Sequence, residues 1–221
     1  MSITTSNITI QDSPNSSPST KSCYTVNIFG TKINTIVTSN PFVVDQFIRN
    51  IHNTFGINYG QIDPIIIGLD VETRPTYGPG QNRPATLQLC VDGNCLIFQI
   101  IHADYIPDSL YELFECGGTF CFVGVGVKED ALKLMTHYNL NVANAVELGS
   151  FAAERENRSE LKTFSLKNLT KEIVGWEIEK PREITMSRWD AQPLTRGQVQ
   201  YACVDAYLSY AIGMKLTWGS V

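Results

Sequence analysis

The chain has 221 residues, 43% of them hydrophobic and 18% charged, a balance that excludes a disordered protein and suits a single sizeable globular domain. Its formal net charge of −5 argues against binding phosphates through a uniformly basic surface. No apolar run approaches the roughly 18 residues of a membrane-spanning helix, so no membrane partner is expected.

Residues 1–21 are rich in Ser, Thr and Asn and lack the apolar core of a secretory leader. They are expected to be a disordered tail on a cytoplasmic, or also nuclear, protein, with residues 22–217 as one domain. Tyr24, Val26 and Ile28, then Ile33, Thr35 and Val37, alternate with polar residues about Gly30-Thr31 and predict a β-hairpin. Asn40-Pro41 opens a helix in which Val44, Phe47, Ile48 and Ile51 share a face, ending near Gly56. The apolar run 64–69 predicts a central strand covered on both sides. After a Pro/Gly-rich loop, strands over 85–91 and 95–100 meet at Asp92-Gly93-Asn94. Alternating elements follow: helix 110–114, strand 119–125, helix 128–138, a short strand near 145–147, helices around 149–156 and 165–173, and a last helix from about Thr195 to Leu216. A meander followed by strand–helix units implies α/β architecture: a mixed sheet of five to six strands flanked by helices, extended by the N-terminal hairpin.

The six cysteines, Cys23, Cys90, Cys95, Cys116, Cys121 and Cys203, are expected to be reduced thiols. Cys90/Cys95 and Cys116/Cys121 have a spacing that zinc sites use. Leu89-Cys90-Val91 and Phe120-Cys121-Phe122 are more commonly the setting of cysteine as a small core residue, the stronger reading here. His52, His102 and His137 lie in no motif and receive no role.

Three places carry carboxylates in unusual settings. Ile67-Gly68-Leu69-Asp70-Val71-Glu72 ends an apolar strand with two acids on one face, a costly arrangement unless a cation or proton neutralises them or the strand has already reached solvent. Phe122-Val123-Gly124-Val125-Gly126 leads into a helix with Asp130 in its first turn, which the helix dipole alone would favour. Tyr201 and Asp205, four apart on the last helix, share a face with apolar neighbours, as a structural pair would also do.

Taken in order, Asp-x-Glu on a strand, Asp at a strand-to-helix junction and Tyr-x₃-Asp on a late helix resemble the DEDDy branch of the 3′–5′ exonucleases, which share the ribonuclease H-like fold. The resemblance runs from about Tyr24 to Leu216 and is nearest the Werner-syndrome-type exonuclease domain. It includes Ser165-Leu166-Lys167-Asn168-Leu169 before Gly175, then Lys180, Trp189 and Pro193-Leu194-Thr195. The small plant RISC-interacting clearing exoribonucleases are a similar subgroup, which implies RNA-silencing proteins as partners. Thr73, followed by Arg74-Pro75, departs from the Trp that often follows the first Glu. Gln200 stands where the histidine branch would carry its histidine.

The resemblance implies hydrolysis of single-stranded RNA or DNA from a free 3′ end to 5′-mononucleotides. RNA is favoured because no helicase segment accompanies the domain. It implies two divalent cations, Mg²⁺ or Mn²⁺, held by Asp70, Glu72, Asp130 and Asp205. Asp70 would bridge them, Glu72 and Asp205 would hold the nucleophile's ion, and Asp130 would act on the second through water. Tyr201 would orient the attacking water, and Leu69, Val71 and Thr73 would contact the terminal nucleotide. An inactive binding module on the same fold is the rival reading. Residues 151–200 hold nine basic against eight acidic residues. They are expected to lend basic side chains to a neighbouring copy in a homo-oligomer.

Overall fold

The computed structural model describes residues 7–13, 20–56, 63–75 and 82–219. Ser22–Ile28 (β2) and Thr31–Thr38 (β3) form the expected hairpin. Its turn is Phe29-Gly30, both with positive φ (49° and 93°), rather than Gly30-Thr31. Two such residues match the twist of the flanking strands.

The expectation of a disordered 1–21 tail is corrected at Ile8–Asp12, which form strand β1, antiparallel to β2 from Ile8↔Ile28 to Asp12↔Tyr24. The physical reason is a short alternation, Ile8 and Ile10 against Thr9 and Gln11, whose isoleucines pack on the core. Residues 1–6 and 14–19 of that expected tail lie outside the described residues.

Strands Ile65–Thr73 (β4), Pro84–Val91 (β5), Asn94–Phe98 (β6), Phe120–Gly124 (β7) and Ala145–Glu147 (β8) complete one eight-stranded sheet, ordered β1-β2-β3-β6-β5-β4-β7-β8. The expected five to six strands become eight because β3 pairs in parallel with β6, from Asn34↔Asn94 to Thr38↔Phe98, fusing the hairpin to the central strands. Parallel pairs β4–β7 and β7–β8 sit beside antiparallel β4–β5 and β5–β6. The architecture is thus mixed α/β.

Helices cover both faces. Pro41–Phe55 (α1), Asp108–Glu115 (α2) and Val127–Tyr138 (α3) lie on one side. Leu148–Arg155 (α4), Leu166–Leu169 (α5) and Arg196–Trp218 (α7) lie on the other, with the short Arg182–Thr185 (α6) between. Strand alternation divides β4 accordingly: Ile65, Ile67, Leu69 and Val71 pack toward α1 and α2, whereas Ile66 packs toward α7. The Asn40 side chain caps α1 by accepting from Phe42 N at 2.9 Å. In α7, Thr195 and Gln198 exchange side-chain-to-backbone bonds, a capping box.

Among the described residues the six cysteines form no disulfide, and all but Cys116 are buried. Cys90 and Cys95 face each other across the β5–β6 hairpin, and Thr35 Oγ1 donates to Cys203 Sγ at 3.1 Å. Among the described residues no cysteine belongs to a metal-ligating group, and no helix is long and apolar enough to cross a membrane.

Candidate metal centre

Gly68 and α7 set the site. A Cβ at Gly68 would overlap the Ala206 carbonyl and stand 2.7 Å from Tyr210 N, so only glycine lets α7 rest directly on β4. One residue before Ala206, Asp205 therefore meets Asp70 and Glu72, which continue the same face of β4. Carboxylate oxygens of the three lie within 4.8 Å of one another. The strand runs through both acids to Thr73 instead of ending before them.

Asp205 is 3% exposed, and Asp70 Oδ2 is buried without a hydrogen-bond partner. Burial, then the charges of Asp205 and Asp130, push the Asp70 carboxyl well above its usual range. Burial and Asp70 do the same to Glu72, and burial raises Asp205 against the opposing pull of Lys180. Each shift says that negative charge is crowded here with too little compensation. An orphaned buried oxygen among three hard carboxylates fits a divalent cation that prefers oxygen ligands.

Asp130 stands outside this tight triangle. It is buried on the first turn of α3, bonds Lys133 Nζ at 3.1 Å, and adds its charge to the fields at Asp70 and Glu72. Burial, only partly offset by Lys133, pushes its carboxyl up to about 6. The α3 entrance is held by Glu147, whose carboxylate accepts from Gly126 N at 2.9 and 3.0 Å.

Tyr201 lies one turn before Asp205, beside buried Trp189 at 5.8 Å between ring centroids, and its hydroxyl accepts from Thr185 Oγ1 at 3.3 Å. Burial and the Asp205 charge push its phenol up to about 12. It is therefore a neutral hydrogen-bonding group near pH 7.

The expectation for Leu69 and Val71 is corrected. Their side chains lie on the opposite face of β4 from the acids, 1% and 8% exposed, and belong to the core toward α1 and α2. Period-two alternation makes this unavoidable once Asp70 and Glu72 face α7. Thr73 is half-buried at a register shift after Glu72. The next residue, Arg74, pairs with Asp190 at 3.1 Å. His52 lies edge-on to Phe120, and His102 Nε2 is 2.9 Å from the Asp190 carbonyl.

Two contributors had no role assigned from sequence. Gly68 is one, signalled by a glycine in the middle of an apolar strand. The other is Lys180, whose Nζ donates to Asp205 Oδ2 at 2.6 Å and lies 4.9 Å from the Tyr201 ring centroid. Its signal is the alternation Trp176-Glu177-Ile178-Glu179-Lys180. Trp176 stacks between Phe29 and Tyr207, and Ile178 is buried. Glu177 and Glu179 point outward to Lys171 and Lys167.

The basic 151–200 segment is largely spent on internal pairs. Besides these three lysines, Arg158 pairs with Glu160 and Glu172, Arg188 with Asp190, and Arg196 with Asp12.

A mixed α/β sheet gathers carboxylates on its central strand and a crossing helix, a cluster whose oxygens could hold a divalent cation. The chain belongs to the 3′–5′ exonuclease family, whose sequence profile matches residues 46–218. It is 36% identical over 147 residues to a 3′-5′ exonuclease of Arabidopsis thaliana, covering 65% of this chain and 50% of that protein. It is 35% identical over 156 residues to the bifunctional 3′-5′ exonuclease/ATP-dependent helicase WRN of Mus musculus, covering 70% of this chain and 11% of that one. The chain thus spans half or less of these relatives. It is also similar to a crystal structure of the EXD2 exonuclease domain soaked in Mg and GMP, with TM-score 0.48 and 26% identity over 84% of this chain and 89% of that one.

Proposed function

We propose that this chain hydrolyses single-stranded nucleic acid from a free 3′ end, releasing 5′-mononucleotides, with two Mg²⁺ or Mn²⁺ ions at the acidic cluster. The observation that carries the reading is the convergence of Asp70, Glu72 and Asp205 carboxylates within 4.8 Å, with Asp70 Oδ2 buried and lacking a hydrogen-bond partner. Bound divalent ions would neutralise the crowded carboxylates, lower the pKa of a ligated water and steady a leaving oxygen. Asp70, with Glu72 and Asp205 beside it, would hold the ions. Asp130, set back from the triangle, acts through water. Tyr201 keeps its proton near pH 7 and holds the attacking water by hydrogen bond rather than removing a proton from it. Thr73, at the strand end, is the one of the three expected nucleotide contacts retained.

The test is incubation of 3′-tailed RNA and DNA oligonucleotides with the protein in Mg²⁺ or Mn²⁺, then in EDTA. A ladder of shortened products that EDTA abolishes is the expected result, and comparison of the two substrates assigns the preference. Intact oligonucleotides under all conditions overturn the proposal.

A further inference from the structure

We propose that Lys180 is a tethered cation that occupies Asp205 while the site lacks divalent ions and withdraws from it when they bind. The inference deepens the proposed function and rests on its divalent-ion reading. The geometry is specific: Nζ lies 2.6 Å from Asp205 Oδ2, on a carboxylate that also belongs to the Asp70–Glu72–Asp205 triangle. An ammonium held on a ligand carboxylate repels any cation arriving there and competes for the same oxygen lone pairs.

The backbone that carries Lys180 is fixed. Trp176 is stacked between two rings and Ile178 is 2% exposed. The side chain is freer: it is 29% exposed and borders a cavity of about 190 Å³ shared with Glu179, Gln200 and Tyr201. A long lysine stem can turn its ammonium toward water through such an opening while its anchors stay in place. Lys180 would then exchange between the carboxylate and solvent, holding the cluster together before loading and opposing loading itself. Its second contact, over the Tyr201 ring, places the same exchange beside the residue proposed to orient water.

The test is calorimetric titration of Mn²⁺ into wild type, Lys180→Met and Lys180→Arg, with circular dichroism to verify folding. Met keeps the stem and removes the charge. Mn²⁺ affinity is expected to rise about tenfold in Lys180→Met, the order that removal of a like-charged neighbour produces. In Lys180→Arg it should stay at or below wild type. Wild type that binds no Mn²⁺ overturns the divalent-ion reading itself. Wild type that binds, with Lys180→Met equal or weaker, or with Lys180→Arg tightened as much as Lys180→Met, overturns only the role of Lys180. Should Lys180→Met fail to fold, a crystal structure of the wild-type Mn²⁺ complex decides. Nζ out of hydrogen-bond reach of Asp205 supports the exchange, and Nζ still bonded there refutes it.

Discussion

The main chain of Gly68 meets the Ala206 carbonyl with no room for a β-carbon between them. This contact, in the middle of β4 and of α7, brings Asp205 onto the carboxylates that β4 carries two and four residues later. The geometry of the acidic cluster depends on an absent side chain.

Gly68→Ala should therefore destabilise the fold by about 2 kcal/mol or more, because an extra methyl against backbone forces the helix off the sheet. Metal affinity should fall with it, since Asp205 moves with α7. Urea unfolding and Mn²⁺ titration of the variant check both. A variant as stable as wild type would show that α7 can shift at little cost.

Asp70→Asn separates stability from function. The substitution takes an ionisable carboxyl out of a crowded, desolvated cluster, so the metal-free variant should melt at or above the wild-type temperature. Nucleotide release should drop by about 10³-fold or more, as expected when a central ligand is lost. A melting scan in EDTA and a single-turnover assay supply the comparison.

Tyr201→Phe keeps the ring that packs on Trp189 and loses the hydroxyl near Thr185. Turnover should fall about 10²-fold, a typical contribution of one positioned hydrogen-bonding group. Mn²⁺ affinity should stay within about twofold, because the phenol is not in the carboxylate triangle. A matching loss of metal binding would contradict the assigned role.

The metal-free protein should lose stability as the pH rises. A carboxyl with a folded pKa above its unfolded value favours the folded chain while it holds its proton. That contribution is complete below the unfolded value and disappears as the pH passes the folded one. For Asp130 the window runs from 3.8 to about 6. Asp70 and Glu72, raised further, extend the decline past neutrality. Melting temperatures in EDTA should fall between pH 5 and pH 8, and Mn²⁺ should restore more of the loss at the higher value.

Thiol titration should find one reactive cysteine in the folded chain, Cys116, because the other five are buried. Burial raises the Cys90, Cys121 and Cys203 thiols, which further suppresses thiolate. Reaction of the remaining five only in denaturant is the expected outcome with an aromatic disulfide reagent.

Much of this molecule is legible in the order of its residues. The period-two alternation of β2 and β3, the Asn40-Pro41 start and Gly56 stop of α1, and the apolar run of β4 are local properties, set by side-chain direction and backbone preference within a few residues. The three acid motifs are legible for the same reason, since each is a short spacing on one element. Strand β1 was hidden because its five residues acquire meaning only when β2 lies beside them.

Contacts between distant segments were decided by the tertiary structure alone. The sheet's parallel β3–β6 joint turns a hairpin into part of an eight-stranded layer. The choice of face for β4 puts Leu69 and Val71 in the core and Asp70 and Glu72 opposite α7, a binary outcome that a one-residue change of register would reverse. Lys180 reaches Asp205 from 25 residues away along the chain. Spacing along a sequence governs what one strand or helix displays. Which charges must share a buried space is settled only when those elements pack.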